Sequence, residues 1–203
     1  DLGQTLLIIS VWLAIIFVSG INLFLFAISL LAVCSLTIFL VFIVPKFEYI
    51  RIRIMSFLDA SSGNNYQADK ASDAISSGGF FGKGIGEGTL NSRIPEAHTD
   101  YIISVIAEEF GVIILISIIL LYLVFSYRVL KKINFIKNNN FKLILIGSIS
   151  IILLQTFIHI GVNIRVLPTT GMTMPFISYG GSSIVGTSIL TGIILNLTKR
   201  KLD

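Results

Sequence analysis

Charge is what this sequence has least of. Asp, Glu, Lys and Arg make up 13% of the 203 residues, about half the roughly 25% carried by soluble domains, and the mean hydropathy is +0.91. Five stretches contain no charged residue: Leu2–Ile21, Leu23–Val44, Phe110–Tyr127, Leu143–Ile164 and Phe176–Thr198. Each is long enough to cross a hydrocarbon core of about 30 Å as a helix of about 20 residues. A soluble all-α protein would show amphipathic stripes instead. A soluble fold is therefore excluded, and an all-α polytopic membrane protein is expected.

Cysteine is nearly absent as well. The single Cys34 lies inside the second span, which excludes a disulfide framework and reads as a small buried apolar residue. No second His or Cys stands where it would make a ligand pair with His159, so a zinc site is unsupported. The sequence starts at Asp1 without an initiator Met, and its first apolar stretch is followed at once by a second. That is not the pattern of a signal peptide, and the C-terminal part of a longer polytopic protein is expected.

The formal charge of +4 invites a nucleic-acid reading, but the positions of the cations argue against one. Arg128, Lys131, Lys132, Lys137 and Lys142 lie between the third and fourth spans with no acid among them, and Lys199, Arg200 and Lys201 follow the fifth. By the positive-inside rule this loop and the C-terminus are cytoplasmic. Alternation then puts the 165–175 turn, with Arg165, and the long 45–100 segment outside. Three regions result: two spans over 1–44, an extracytoplasmic loop over 45–100, and three spans with a basic cytoplasmic loop and tail over 101–203.

The 45–100 segment is too long for a simple connector and is expected to be functional. Ile50-Arg51-Ile52-Arg53-Ile54 alternates like a strand over a window too short to decide; an interfacial helix with its arginines at headgroup level fits equally. Ser61–Gln67 is a polar turn cluster, and 67–77 has the composition of a short helix. The glycine-rich run Gly78–Gly88 fails both nucleotide motifs. A P-loop would need glycine at Ser77 and a hydroxyl residue at Gly84, and no strand precedes it as a dinucleotide fingerprint requires. It is either a structural loop or a set of backbone N–H groups that, with Lys83, face a phosphate.

Asp100, in Pro95-Glu96-Ala97-His98-Thr99-Asp100, stands at the outer mouth of the third span. It reads either as a helix N-cap or as a carboxylate beside apolar walls, where desolvation raises its basicity and lets it take a proton from a sugar hydroxyl. Glu108 and Glu109 lie about 12 Å deeper if a helix runs on from Asp100. At about 100° per residue Glu108 sits nearer the face of Asp100, so Glu108 is expected to share a cavity with it, the alternative being an ion pair with another helix. Carboxylates at such depth are functional candidates. Gln155, His159 and Asn163 form one polar stripe at i, i+4 and i+8 on the fourth span, either inter-helix hydrogen-bond glue or a ligand path. Pro168, Gly171 and Pro175 break the chain before the fifth span, and irregular backbone at membrane depth belongs inside protein or along a wet cavity.

These residues resemble the SEDS family (shape, elongation, division and sporulation). Pro168–Ser183 is similar to its C-terminal signature. Pro95–Asp100 followed by Glu108-Glu109-Phe110-Gly111 is similar to its catalytic loop, and Asp1-Leu2-Gly3 resembles the start of one of its middle helices. Ala97 fits division-type members better than elongation-type ones, where Arg is expected. Division-type members often carry Lys where this sequence has Thr170 and an acid where it has Ser92; neither departure touches Asp100. The resemblance implies a ten-helix fold, of which about five helices are here, and peptidoglycan glycosyltransferase activity on lipid II during division. Asp100 would be the catalytic base, with Lys83, Arg93, His98, Glu108 and Arg165 as substrate-binding candidates. It also implies the inner membrane as location, a class B penicillin-binding transpeptidase and other division proteins as partners, and room for a divalent cation, Mg or Mn, although no ligand set is visible. This stretch by itself is expected to be inactive. Lipid II flipping, or scaffolding of a division transpeptidase, are the other readings.

Overall fold

The computed structural model describes residues 2–58, 66–94 and 96–199, with nothing said of the side chains of Leu2 and Asn91. The polar cluster after residue 60, Pro95, Asp1 and the Arg200-Lys201 pair lie wholly or mostly outside the described residues. Among those described, the chain is all-helical. The order is α1 (Leu2–Val18), α2 (Leu23–Ile43), a 3-10 turn (Pro45–Phe47), α3 (Glu48–Leu58), α4 (Tyr66–Gly78), α5 (Leu90–Arg93), α6 (Ala97–Asp100), α7 (Ile102–Ile133), α8 (Asn139–Asn163) and α9 (Gly181–Thr198).

The helices α2, α7, α8 and α9 are long and apolar enough to cross a membrane, while α1 is apolar but falls just short of that length. The chain turns between α1 and α2 at Gly20, whose left-handed φ of 83° suits a residue without Cβ. Asn22 then caps α2 by accepting from Phe24 N at 2.9 Å. Little protein packs on α2, so Cys34 is exposed on its surface rather than buried. The fifth span also differs from the sequence expectation: Phe176–Gly180 is not helical, and α9 begins at Gly181. Phe176 takes a left-handed φ of 64°, which a helix cannot continue through.

Small residues set the packing, as expected where backbones must approach closely inside a bilayer. Gly147 on α8 admits Ile15 of α1, and a Cβ on Gly3 would lie 2.8 Å from Met172 Cγ. Leu7, Val11 and Met172 form one cluster with Ile15, Ile151, Leu154 and Ile158. A second joins Val129, Leu145, Ile149, Ile152 and Ile194 from α7, α8 and α9.

The two ends of this bundle differ. At one, Lys132 Nζ donates to Thr198 O at 2.6 Å, joining the ends of α7 and α9 beside the basic loop. At the other, α4, α5 and α6 pack with α7 and α8 around Ala71, Ala74, Leu90, Ile94, Ala97, Tyr101, Val105 and Val162. The 66–100 segment and the 165–175 turn therefore share one end, opposite the basic loop. The Ile-Arg alternation resolves as α3, a helix and not a strand.

Within α7 the helical ladder is interrupted at Gly111, with φ 83° and ψ 171°. Val112 N and Ile113 N, which in an unbroken helix would bond Glu108 O and Glu109 O, donate instead to Gly79 O and Phe80 O. The freed carbonyls of Glu108 and Glu109 accept from Lys83 N and Gly84 N. The glycine loop is thus spliced into the helix, and its glycines are needed for contact. A Cβ on Gly82 would lie 2.1 Å from Glu109 O, and one on Gly111 2.2 Å from Phe80 O.

Candidate functional site

Asp100 ends the one-turn helix α6. The chain enters it through Glu96, which holds a left-handed φ of 62°, and Thr99 Oγ1 bonds back to Glu96 O at 2.8 Å. It leaves through Tyr101, whose φ −125° and ψ 25° separate α6 from α7. A helix this short leaves its last carbonyls without partners of its own. Here three consecutive carbonyls are each taken up from outside. Tyr179 N donates to His98 O at 3.1 Å, Ser178 Oγ to Thr99 O at 2.6 Å, and Asn163 Nδ2 to Asp100 O at 3.1 Å. The segment before α9 and the end of α8 together fix the Asp100 main chain.

The polar stripe of α8 supplies much of this grip. Asn163 Oδ1 accepts from Ser104 N at 3.2 Å and Ser104 Oγ at 2.7 Å. His159 Nδ1 lies 2.7 Å from Met172 O, and Gln155 Nε2 donates to Thr173 O at 2.9 Å. Gln155 and His159 hold the irregular segment and Asn163 the junction between α6 and α7, the glue reading of the stripe.

The Asp100 side chain is half-buried and caps no helix; α7 has no side-chain cap. Its carboxylate lies close to Gly171, where a Cβ would stand 3.6 Å from Oδ2. Burial, and then the neighbouring charge of Glu96, raise its pKa above the ordinary aspartate value, partly offset by Thr99 and Arg53. Burial and the Asp100 charge push the adjacent Tyr101 phenol up to about 12.

Glu108 does not share this cavity. The break at Tyr101 invalidates a helix wheel drawn continuously from Asp100. Glu108 is instead 1% exposed, receiving Lys83 Nζ at 2.8 Å, Thr89 Oγ1 at 3.1 Å and Leu90 N at 3.0 Å. It lines a separate cleft of about 210 Å³ with Lys70, Asp73, Lys83, Thr89 and Arg93. Lys83 and Arg93 are thus together, away from Asp100. Arg165, also left-handed at φ 57°, is elsewhere again, ion-paired to Asp69 of α4. The side chain of His98 is exposed.

Sequence reasoning left Arg53 at the headgroups. In the structure its Nη1 donates to Thr169 O at 3.4 Å, and its charge acts on both Asp100 and Tyr101. No local signal announces that pairing, because the two residues belong to segments 116 positions apart. Among the described residues no three His, Cys, Asp or Glu side chains gather as metal ligands.

The family model FtsW/RodA/SpoVE, described as cell cycle protein, matches residues 1–202. A probable peptidoglycan glycosyltransferase FtsW of Caulobacter vibrioides is 34% identical over 99% of this chain and 51% of its own length. The FtsW of Francisella salina, described in the same words, is 37% identical over 97% of this chain and 50% of its own. The peptidoglycan glycosyltransferase RodA of Mycobacterium bovis is 32% identical over 98% and 42%. Among solved structures, one described as structural coordination of polymerization and crosslinking by a peptidoglycan synthase complex superposes with a TM-score of 0.77 at 27% identity. It covers all of this chain and 57% of the solved one. The chain spans about half the length of the curated relatives it matches.

Proposed function

Because this chain belongs to the FtsW/RodA/SpoVE family of cell cycle proteins, we propose that the protein is a peptidoglycan glycosyltransferase that polymerises lipid II into glycan strands. One observation carries the reading: a half-buried carboxylate, Asp100, whose basicity is raised by its surroundings and whose main chain is fixed through three successive carbonyls. Fixed geometry and a pKa moved toward the working pH are what a general base requires.

In the proposed step, Asp100 removes the proton from the 4-hydroxyl of the acceptor sugar. The oxygen attacks the anomeric carbon of the donor as the bond to undecaprenyl diphosphate breaks, and the linkage inverts from α to β. The proton ends on Asp100, and the electron pair leaves with the diphosphate. Arg53, beside Asp100, is the cation best placed to face developing negative charge there. Lys83 and Arg93 share a cleft that we assign to more distant anionic parts of the substrate. Arg165, paired with Asp69, is assigned a structural part, and the exposed His98 is left as a contact at the rim.

We further assign the Asp100 end to the outer face of a bacterial inner membrane and the C-terminus to the cytoplasm, since the basic loop lies at the opposite end. Division is the favoured role, on Ala97 and the FtsW similarities. A crosslinking enzyme of the class B penicillin-binding type is the natural partner, because a nascent strand needs its peptides joined. The flippase reading drew on Glu108 and the polar stripe, but Glu108 is held by Lys83, Thr89 and Leu90, and Gln155, His159 Nδ1 and Asn163 are engaged with backbone groups. Purified lipid II supplied to full-length Asp100→Ala protein separates the readings. Polymerisation should be lost while translocation of labelled lipid II in liposomes is unaffected. Intact polymerisation with lost translocation would favour the flippase.

A further inference from the structure

The spliced glycine loop carries an inference independent of the glycosyl transfer. The cations at Arg128, Lys131 and Lys132 mark one headgroup level on α7. A hydrocarbon core of about 30 Å at about 1.5 Å per residue reaches back about 20 residues from Tyr127, to Glu108. The loop carbonyls of Gly79 and Phe80 are bonded to Val112 N and Ile113 N, several residues inside that limit. The tip of the loop is therefore held at membrane depth, although it belongs to the segment between spans.

Its side chains suit that depth. Phe80, Phe81 and Ile85 are 74%, 85% and 80% exposed. They continue an apolar surface formed on α7 by Phe110, Ile113 and Ile114, also exposed. The one charge within 79–85, Lys83, turns inward to Glu108. The splice also pairs Gly79 O, Phe80 O, Lys83 N and Gly84 N, which lowers the cost of bringing this irregular chain to that depth. Three large apolar side chains left in water would be costly; in the leaflet they are not.

We propose that residues 79–85 form a re-entrant loop whose Phe80 and Phe81 insert among the acyl chains of the leaflet opposite the basic loop. Ile85, next to the Gly84 N–Glu109 O bond, sits shallower, at the headgroup boundary, and Glu87 lies in water. The insertion holds the Lys83–Arg93 cleft at headgroup level.

The test is collision spin labelling of the full-length, cysteine-free protein (Cys34→Ser included) in liposomes of phosphatidylethanolamine and phosphatidylglycerol. Single cysteines replace Phe81, Ile85 and Glu87 in turn. At 81, collisions with oxygen should exceed those with the water-soluble nickel chelate several-fold, the ratio falling at 85 and reversing at 87. Should Phe81→Cys not elute as a monodisperse protein, Phe81→Trp with chain-brominated lipid serves instead, and quenching is expected. Faster collision with the chelate at 81 places the loop in water and overturns the proposal. Protection from both reagents places it under protein, and no quenching of the Trp places it away from the acyl chains; either result also overturns the proposal.

Discussion

The side-chain amide of Asn163 donates to the main-chain carbonyl of Asp100 at 3.1 Å, while its oxygen holds both the N–H and the hydroxyl of Ser104. One fully buried side chain thus joins the end of α8 to the two sides of the break between α6 and α7. Asn163→Leu should leave the Asp100 carbonyl and Ser104 unpaired, at a cost of about 1–3 kcal/mol each at most. Displacement of the base by about 1 Å costs on the order of 10²-fold in rate. The strand-synthesis rate of Asn163→Leu should fall by roughly that factor with lipid II affinity little changed, measured by gel analysis of the glycan product.

The acid limb of activity should respond to the neighbours of Asp100 with opposite signs. The base works ionised, and Glu96 raises its pKa while Arg53 lowers it. Glu96→Gln should therefore move the acid limb to lower pH, and Arg53→Ala to higher pH, in pH–rate profiles. Stability follows the same sign. A carboxyl whose folded pKa is raised stabilises the fold fully only below its unfolded pKa, and that contribution is lost as pH rises through the folded value. Asp100→Asn should consequently melt no lower than the parent at neutral pH, and any advantage should vanish under acid conditions.

Lys83 and Glu108 should behave as a coupled pair. Removing the cation alone strands a buried carboxylate, so Lys83→Met should lower the thermal stability of the detergent-solubilised protein by more than Lys83→Met with Glu108→Gln. A single-mutant cost of about 1–3 kcal/mol is expected. Equal losses in the single and double variants would show that the two do not act together.

The sidedness assigned from the basic loop is also open to a direct check. A cysteine at Gly86 should react with a membrane-impermeant maleimide added to intact spheroplasts. One at Asn138 should react only after permeabilisation. The reverse pattern would place Asp100 on the wrong side for an external polymerase.

What the sequence made legible was whatever depends on composition or local pattern. The uncharged spans follow from hydrophobicity. The short helix at 67–77 appears within α4, and the irregular run after Pro168 appears as non-helical chain before α9. The stripe of Gln155, His159 and Asn163 was visible from its spacing, though not what it would hold. What failed depended on contacts between distant segments. The helix assumed to continue from Asp100 to Glu108 stops at Tyr101, with Asn163, Ser178 and Tyr179 gripping the carbonyls just before it. The splice of 79–84 into 108–113 has no periodic signature. Its one trace is glycine on both partners, at Gly79, Gly82 and Gly84 and again at Gly111.

The most direct measurement is the initial rate of glycan-strand growth by the full-length Asp100→Asn protein, set against the parent at saturating lipid II and neutral pH. Asparagine keeps the shape of the side chain and removes only its ability to take a proton. A fall of at least about 10²-fold with a melting temperature no lower than the parent's is the expected result; a rate within a few-fold of the parent would contradict the assignment of Asp100 as the base.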